Sequence, residues 1–193
     1  MGEYLTLFIS AVIVNNFVLT RFLGMCIFFG VSKNLNASVG MGMAVTAVMT
    51  LSSTLAWLVY TFVLVPFNLT FLTTVVFVLL IASFVQLLEM VTKKCTPALY
   101  NMWGIYLVLI AVNCVVLGVP LINVESHFSF GKSVVNAFGS GVGFGVAIVL
   151  LASLRERLRL ADVPKPLEGL GVAFILAGML ALAFLGFSGM ISL

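Results

Sequence analysis

Apolar residues run through this chain in long blocks, and polar residues interrupt them only briefly. Six blocks stand out: Tyr4–Thr20, Ala37–Val65, Leu69–Val91, Leu99–Val119, Val134–Leu154 and Gly169–Leu193. A helix needs roughly 20 predominantly apolar residues to cross the hydrocarbon core of a bilayer. The pattern therefore predicts an all-α integral membrane protein with six transmembrane helices, forming a single membrane domain over residues 1–193. Pro66-Phe67-Asn68 reads as the tight turn between the second and third spans. Lys93-Lys94-Cys95-Thr96-Pro97 separates the third and fourth, and Arg155 to Glu168 forms a charged loop before the sixth.

Two interruptions are more telling than the rest. Val14-Asn15-Asn16-Phe17-Val18-Leu19 places adjacent amides inside an apolar run, and Val112-Asn113-Cys114-Val115-Val116-Leu117 echoes it 98 positions on, aligning Asn15 with Asn113. Amides at membrane depth are costly, so a repeated pair marks a candidate site. A second echo follows in the same order: Asn36 to Val45 resembles Asn136 to Val146 once one residue is inserted. Each half, about 1–95 and 96–193, holds three spans. With an odd number, equivalent halves must cross in opposite directions, which predicts inverted repeats. The glycines of Gly40-Met41-Gly42 and Gly139 to Gly145 suit close helix packing at the repeat interface.

Composition agrees with this picture. The chain has 193 residues, 63% hydrophobic and 8% charged, against about 25% charged in soluble domains. No charged residue occurs from Asn34 to Leu88. Counting Lys and Arg by side orients the chain. Arg21, Lys33, Lys93, Lys94, Arg155, Arg157, Arg159 and Lys165 fall on one side and Lys132 on the other. The basic side is expected to be cytoplasmic, with both termini on the outer side. Met1-Gly2-Glu3 is acidic where a cleaved signal would be basic, so the first apolar run is expected to be a span. The net charge of +3 comes with no aromatic-interleaved basic patch, and no nucleic-acid partner is expected.

Chemistry has few candidate carriers. Arg21 interrupts the run from Tyr4 to Val31. Either a helix ends at Thr20, or the first span is broken near Asn15-Asn16 and Leu23 to Val31 re-enters the membrane. Unwound backbone at that depth is tolerated where protein surrounds it. Cys26 follows the first Asn motif and Cys114 lies in the second. Thiolates are soft ligands for iron–sulfur clusters or zinc, yet no C-x-x-C spacing supports a cluster, and buried free cysteines also pack as small hydrophobes. Cys95 is about 28 Å from Cys114 along a helix and cannot share its site unless the intervening chain folds back. Two thiols fall short of the four that a cluster takes, so they are structural or a partner supplies the rest. Glu89 and Lys93 have helical pair spacing. Glu125 and His127 are expected in an outer loop beside Asn123, and Arg155-Glu156-Arg157 on a solvated face that suits a docking partner. Phosphate-loop, dinucleotide and zinc-protease motifs are absent.

Several stretches together resemble a known family. Val14 to Leu19, Phe22-Leu23-Gly24-Met25-Cys26, Gly30-Val31-Ser32-Lys33, Pro97-Ala98-Leu99-Tyr100, Asn113 to Gly118, Arg155 to Leu158, Ala161-Asp162-Val163-Pro164 and Gly186-Phe187-Ser188-Gly189 closely resemble the A-type subunits of the Rnf complexes. The related E-type subunits of sodium-pumping NADH:quinone reductases share the first-half pattern. The resemblance implies a component, inactive alone, of a plasma-membrane complex of bacteria or archaea that couples ferredoxin and NAD redox chemistry to Na⁺ or H⁺ translocation. The repeated Asn motif favours broken or re-entrant first helices in each repeat, and the resemblance implies six spans in inverted repeats and a homologous six-helix partner of the E type in opposite orientation. It further implies an intramembrane [2Fe-2S] cluster shared with that partner, with Cys26 and Cys114 as this chain's ligands and Asn15, Asn16 and Asn113 supporting the loops. Cys95 matches no family ligand. Ile27 and Val108 stand where the family commonly has Pro. The rival reading is a secondary transporter with the three asparagines at a midplane ion or solute site.

Overall fold

The computed structural model describes residues 2–67, 70–95, 109–110, 113–158 and 169–186, and all regular structure in them is helical. Much of the fourth predicted span lies outside the described residues. So do Asn68, Pro97, Val108, Arg159, Asp162, Lys165 and Phe187.

The element order is α1 (Gly2–Ile9), α2 (Phe17–Arg21), α3 (Met25–Val31), α4 (Leu35–Val59), α5 (Thr73–Cys95), α6 (Cys114–Glu125), α7 (Phe130–Leu158) and α8 (Leu170–Leu185). A π-helical turn, Ser10–Val14, extends α1, and another, Tyr60–Leu64, extends α4. Among the described residues, three stretches are long and apolar enough to span a bilayer: Leu35–Leu64, Thr70–Val91 and Phe130–Leu158. Gly2–Val14, Cys114–Glu125 and Leu170–Leu185 are apolar but shorter. The block from Tyr4 to Thr20 is therefore not one straight helix: it breaks at Asn15-Asn16.

The core is built on α4 crossing α7. A Cβ on Gly42 would lie 2.9 Å from the Cα of Gly145, and one on Gly141 would lie 2.7 Å from the Cα of Thr46. Farther along, Ser53 meets Ser133 and the Trp57 ring packs edge-on against Phe130, with centroids 5.1 Å apart. Numbers that rise on α4 while falling on α7 define an antiparallel pair. Helices this close need residues without side chains at the contact, because backbone-to-backbone dispersion replaces interdigitation.

Glycines one turn apart on the other face of α7 admit α1. A Cβ on Gly139 would lie 3.0 Å from the Ala11 Cβ, and one on Gly143 would lie 3.0 Å from the Val12 carbonyl oxygen. Phe8 stacks on Phe138 at 6.0 Å, and Lys132 pairs with Glu3 at 2.7 Å beside the helix starts. Thus α7 is sandwiched between α1 and α4, as its two glycine stripes require.

Two polar placements differ from the sequence expectation. Asn123 is not in a loop: it lies on α6, 1% exposed. Its amide donates to the Ser53 hydroxyl at 3.0 Å and the Ser133 carbonyl at 3.2 Å, and its oxygen accepts from Asn136 at 2.7 Å. This buried net ties α4, α6 and α7 together near one end. Arg155 is not on a freely solvated face. It lies on α7, half-buried, and donates to the Phe29 carbonyl at 3.1 Å and the Ser32 hydroxyl at 2.7 Å. Its charge meets the carbonyl end of α3, where a cation is favoured.

Candidate functional site

The site grows from two asparagines that restart helices. At Asn16 the backbone is extended (φ −67°, ψ 109°), and the side-chain oxygen accepts from the Val18 N–H at 3.2 Å. At Asn113 the backbone is also extended (φ −72°, ψ 120°), and the oxygen accepts from the Val115 N–H at 3.1 Å. Both are N-caps, which satisfy one of the N–H groups that a helix start leaves unpaired. Inside a membrane no water is present to do so.

Asn15 has a different part. It is exposed, closes the π-turn through its N–H to the Ser10 carbonyl at 2.7 Å, and its amide reaches the Ser10 hydroxyl at 3.3 Å. The structural counterpart of Asn113 is thus Asn16, one position from the register that sequence alignment gives. Side-chain similarity aligned the amides, whereas the cap geometry selects the one followed by a helix.

The first break has a second part. After α2, Phe22 adopts left-handed backbone (φ 55°), and Gly24 does so again (φ 80°) before α3 begins. Leu23 to Val31 does turn back into the protein: Ile27 and Phe28 are fully buried. Gly24 is where the two breaks touch. A Cβ there would lie 2.7 Å from Val115 Cγ2, 3.0 Å from Asn113 Oδ1 and 3.3 Å from the Phe144 ring. Gly118 faces Leu23 in the same way, at 3.5 Å. The loop before Cys26 therefore rests on the helix start that carries Cys114.

Depth follows from α7. This helix has 29 residues, about 43 Å, and Phe144 is its central residue. Both Asn-capped breaks meet it there: Asn16 Nδ2 donates to the Gly143 carbonyl at 2.7 Å, and Gly24 and Asn113 adjoin Phe144.

Cys26, in the first turn of α3, and Cys114, the first residue of α6, are both free thiols and both exposed. They are not the buried hydrophobes of the plainer reading. Among the described residues no group of three or more His, Cys, Asp or Glu could hold a metal ion. This chain offers two exposed thiols, and a four-ligand centre there would take two further donors. The donor set suits half of an iron–sulfur cluster, and open sulfurs at a protein surface suit a shared one. Cys95 ends α5 and is not part of this junction's backbone.

Residues 4–191 match the model of the Rnf-Nqr subunits, described as membrane proteins. The chain belongs to the Rnf-Nqr family. It is 80% identical, over 193 residues and the whole of both chains, to the A-type subunit of the proton-translocating ferredoxin:NAD(+) oxidoreductase complex of Clostridium ljungdahlii. It is 53% identical, over 99% of both chains, to the A-type subunit of the ion-translocating oxidoreductase complex of Serratia proteamaculans. The protein of the same description from Escherichia coli O1:K1 is 51% identical over the whole of both. Rnf-Nqr membership places the two breaks in a membrane protein.

Proposed function

We propose that this Rnf-Nqr chain is the A-type subunit of an ion-translocating complex that couples electron transfer between ferredoxin and NAD to ion movement across the plasma membrane. Its share of the work is to hold half of an intramembrane [2Fe-2S] cluster through Cys26 and Cys114. A homologous membrane protein in opposite orientation supplies the other two ligands. When bound, the cluster takes up and releases one electron at a time at mid-membrane depth. The relative named as proton-translocating, identical at four positions in five, favours H⁺ as the coupling ion. The antiparallel α4–α7 pair, equivalent by sequence echo, supports six spans in two inverted three-helix repeats, and the count of Lys and Arg by side supports both termini on the outer side.

The observation that carries this reading is the pairing of two exposed thiols on breaks that touch at Gly24. The chain's residues perform three tasks there. Asn16 and Asn113 satisfy helix starts that lipid cannot. Gly24 admits the second break by having no side chain. Arg155 fixes the far end of α3, and so the helix that carries Cys26. The engagement of Asn16 and Asn113 in caps also weighs against a solute site built on them.

The test is the purified complex with Cys26→Ser or Cys114→Ser. Each variant should assemble yet lose the shared [2Fe-2S] paramagnetic resonance signal and electron transfer from ferredoxin to NAD. Retention of the full signal in both variants overturns the assignment.

A further inference from the structure

The anchors of the first break fix the depth of what lies between them. Asn16 is bonded to Gly143 and Gly24 adjoins Phe144, so the chain leaves and regains the same level of α7. Between them α2 has five residues, about 7.5 Å of helix. Its last residue is Arg21. Hydrocarbon extends about 15 Å on either side of a bilayer midplane, so Arg21 lies within it, not in the cytoplasmic loop to which charge counting assigns it.

Arg21 is exposed, and its guanidinium lies 5.9 Å from the centre of the Phe17 ring, held toward the break. Among the described residues no carboxylate pairs with it; Glu3 pairs instead with Lys132. A lipid-facing Arg at such depth costs about 3 kcal/mol or more. The next residue adds strain. Phe22 is 54% exposed and left-handed at φ 55°, a conformation that bulky residues avoid and that gathers at functional sites. An unpaired cation and a strained backbone adjoin each other, on the loop that leads to an exposed thiol. Among the described residues the Phe17 ring offsets part of the cost of the cation, and no carboxylate does.

Resting on the shared-cluster reading, we propose that Arg21 is the counter-charge of the anionic thiolate–iron group at Cys26, on the face that the partner protein covers. A cluster held by four thiolates is anionic, and each electron it accepts adds one negative charge. A guanidinium fixed on the same break favours the reduced form and raises the reduction potential. The same contact removes Arg21 from lipid, so cluster loading and seating of this break stabilise each other.

The experiment is a redox titration of the purified complex, followed by the [2Fe-2S] resonance signal, in wild type, Arg21→Gln, Arg21→Lys and Lys33→Gln. Arg21→Gln should lower the midpoint by about tenfold in the reduced-to-oxidised ratio, about 59 mV for one electron. Arg21→Lys should restore most of the shift, and Lys33→Gln, exposed beyond the end of α3, should leave it unchanged. A full signal at the wild-type midpoint in Arg21→Gln overturns the proposal, as does a shift in Arg21→Lys as large as in Arg21→Gln. Should Arg21→Gln fail to assemble, Arg21→Lys decides: a midpoint near wild type supports the charge, and a lost signal or full-sized shift refutes it. A signal that survives both cysteine substitutions instead refutes the shared-cluster reading, so the two failures differ.

Discussion

The two breaks begin alike and end differently. Asn16 and Asn113 each cap a helix with the side-chain oxygen. The Asn16 amide also donates to the Gly143 carbonyl at 2.7 Å, so the first break is tied to α7. The Asn113 amide nitrogen is buried and finds no hydrogen-bond partner among the described residues. An unmet buried donor costs about 1–3 kcal/mol. The same cap therefore costs little at one break and stores free energy at the other. Local sequence sets the cap, and the neighbouring helix decides what the cap contributes.

Substitutions can break this contrast or sharpen it. The largest effect is expected at Gly24, where the breaks touch. Gly24→Val combines left-handed backbone with contacts at 2.7 and 3.0 Å and should cost about 3–5 kcal/mol, read as thermal unfolding of the detergent-solubilised complex. Next is Asn16→Ala, which loses a cap and an interhelical bond together, about 2 kcal/mol. Asn113→Ala loses the cap but also removes the stranded amide, so its cost should be about 1 kcal/mol or less. Equal costs at the two positions would abolish the contrast. The smallest effect is expected at Gly30, exposed one turn beyond Cys26, where a Cβ meets nothing within 4 Å. Gly30→Ala should leave folding unharmed or improve it by about 0.5 kcal/mol. Failure of the complex to assemble in that variant would place the partner directly on this face.

A second contrast sets the breaks against the opposite face of α7. There α4 and α7 line an open apolar groove with Val39, Met43, Val142 and Val146. The Thr46 and Thr50 hydroxyls beside it turn to their own helix carbonyls at 2.7 Å. Among the described residues, the polar chemistry at mid-depth is thus collected on the side of the thiols.

Much of this was legible in the chain itself. Long uncharged blocks required a membrane fold, because burying charge in hydrocarbon is costly. Repeated Asn motifs announced interrupted helices, because only a capped break is tolerated at that depth. Glycine runs announced close packing, and the structure supplies the two opposite faces they serve. Other features depended on contacts between distant residues. One is the choice of Asn16 over Asn15 as the cap. Another is the buried net of Ser53, Asn123, Ser133 and Asn136, whose only sequence sign was polar residues in apolar helices. The return of Arg155 onto α3 belongs here too. Periodicity and charge counting assign each residue to a helix or a side of the membrane. They cannot tell that a second break follows the first within a few residues and rests on the other half of the chain, since that requires Gly24 to lie against Val115. The sequence alone determined which groups are present, two thiols and three amides in apolar surroundings. The tertiary structure decided which amides are satisfied and that the thiols lie open beside touching loops, because both depend on what the second half of the chain presents to the first.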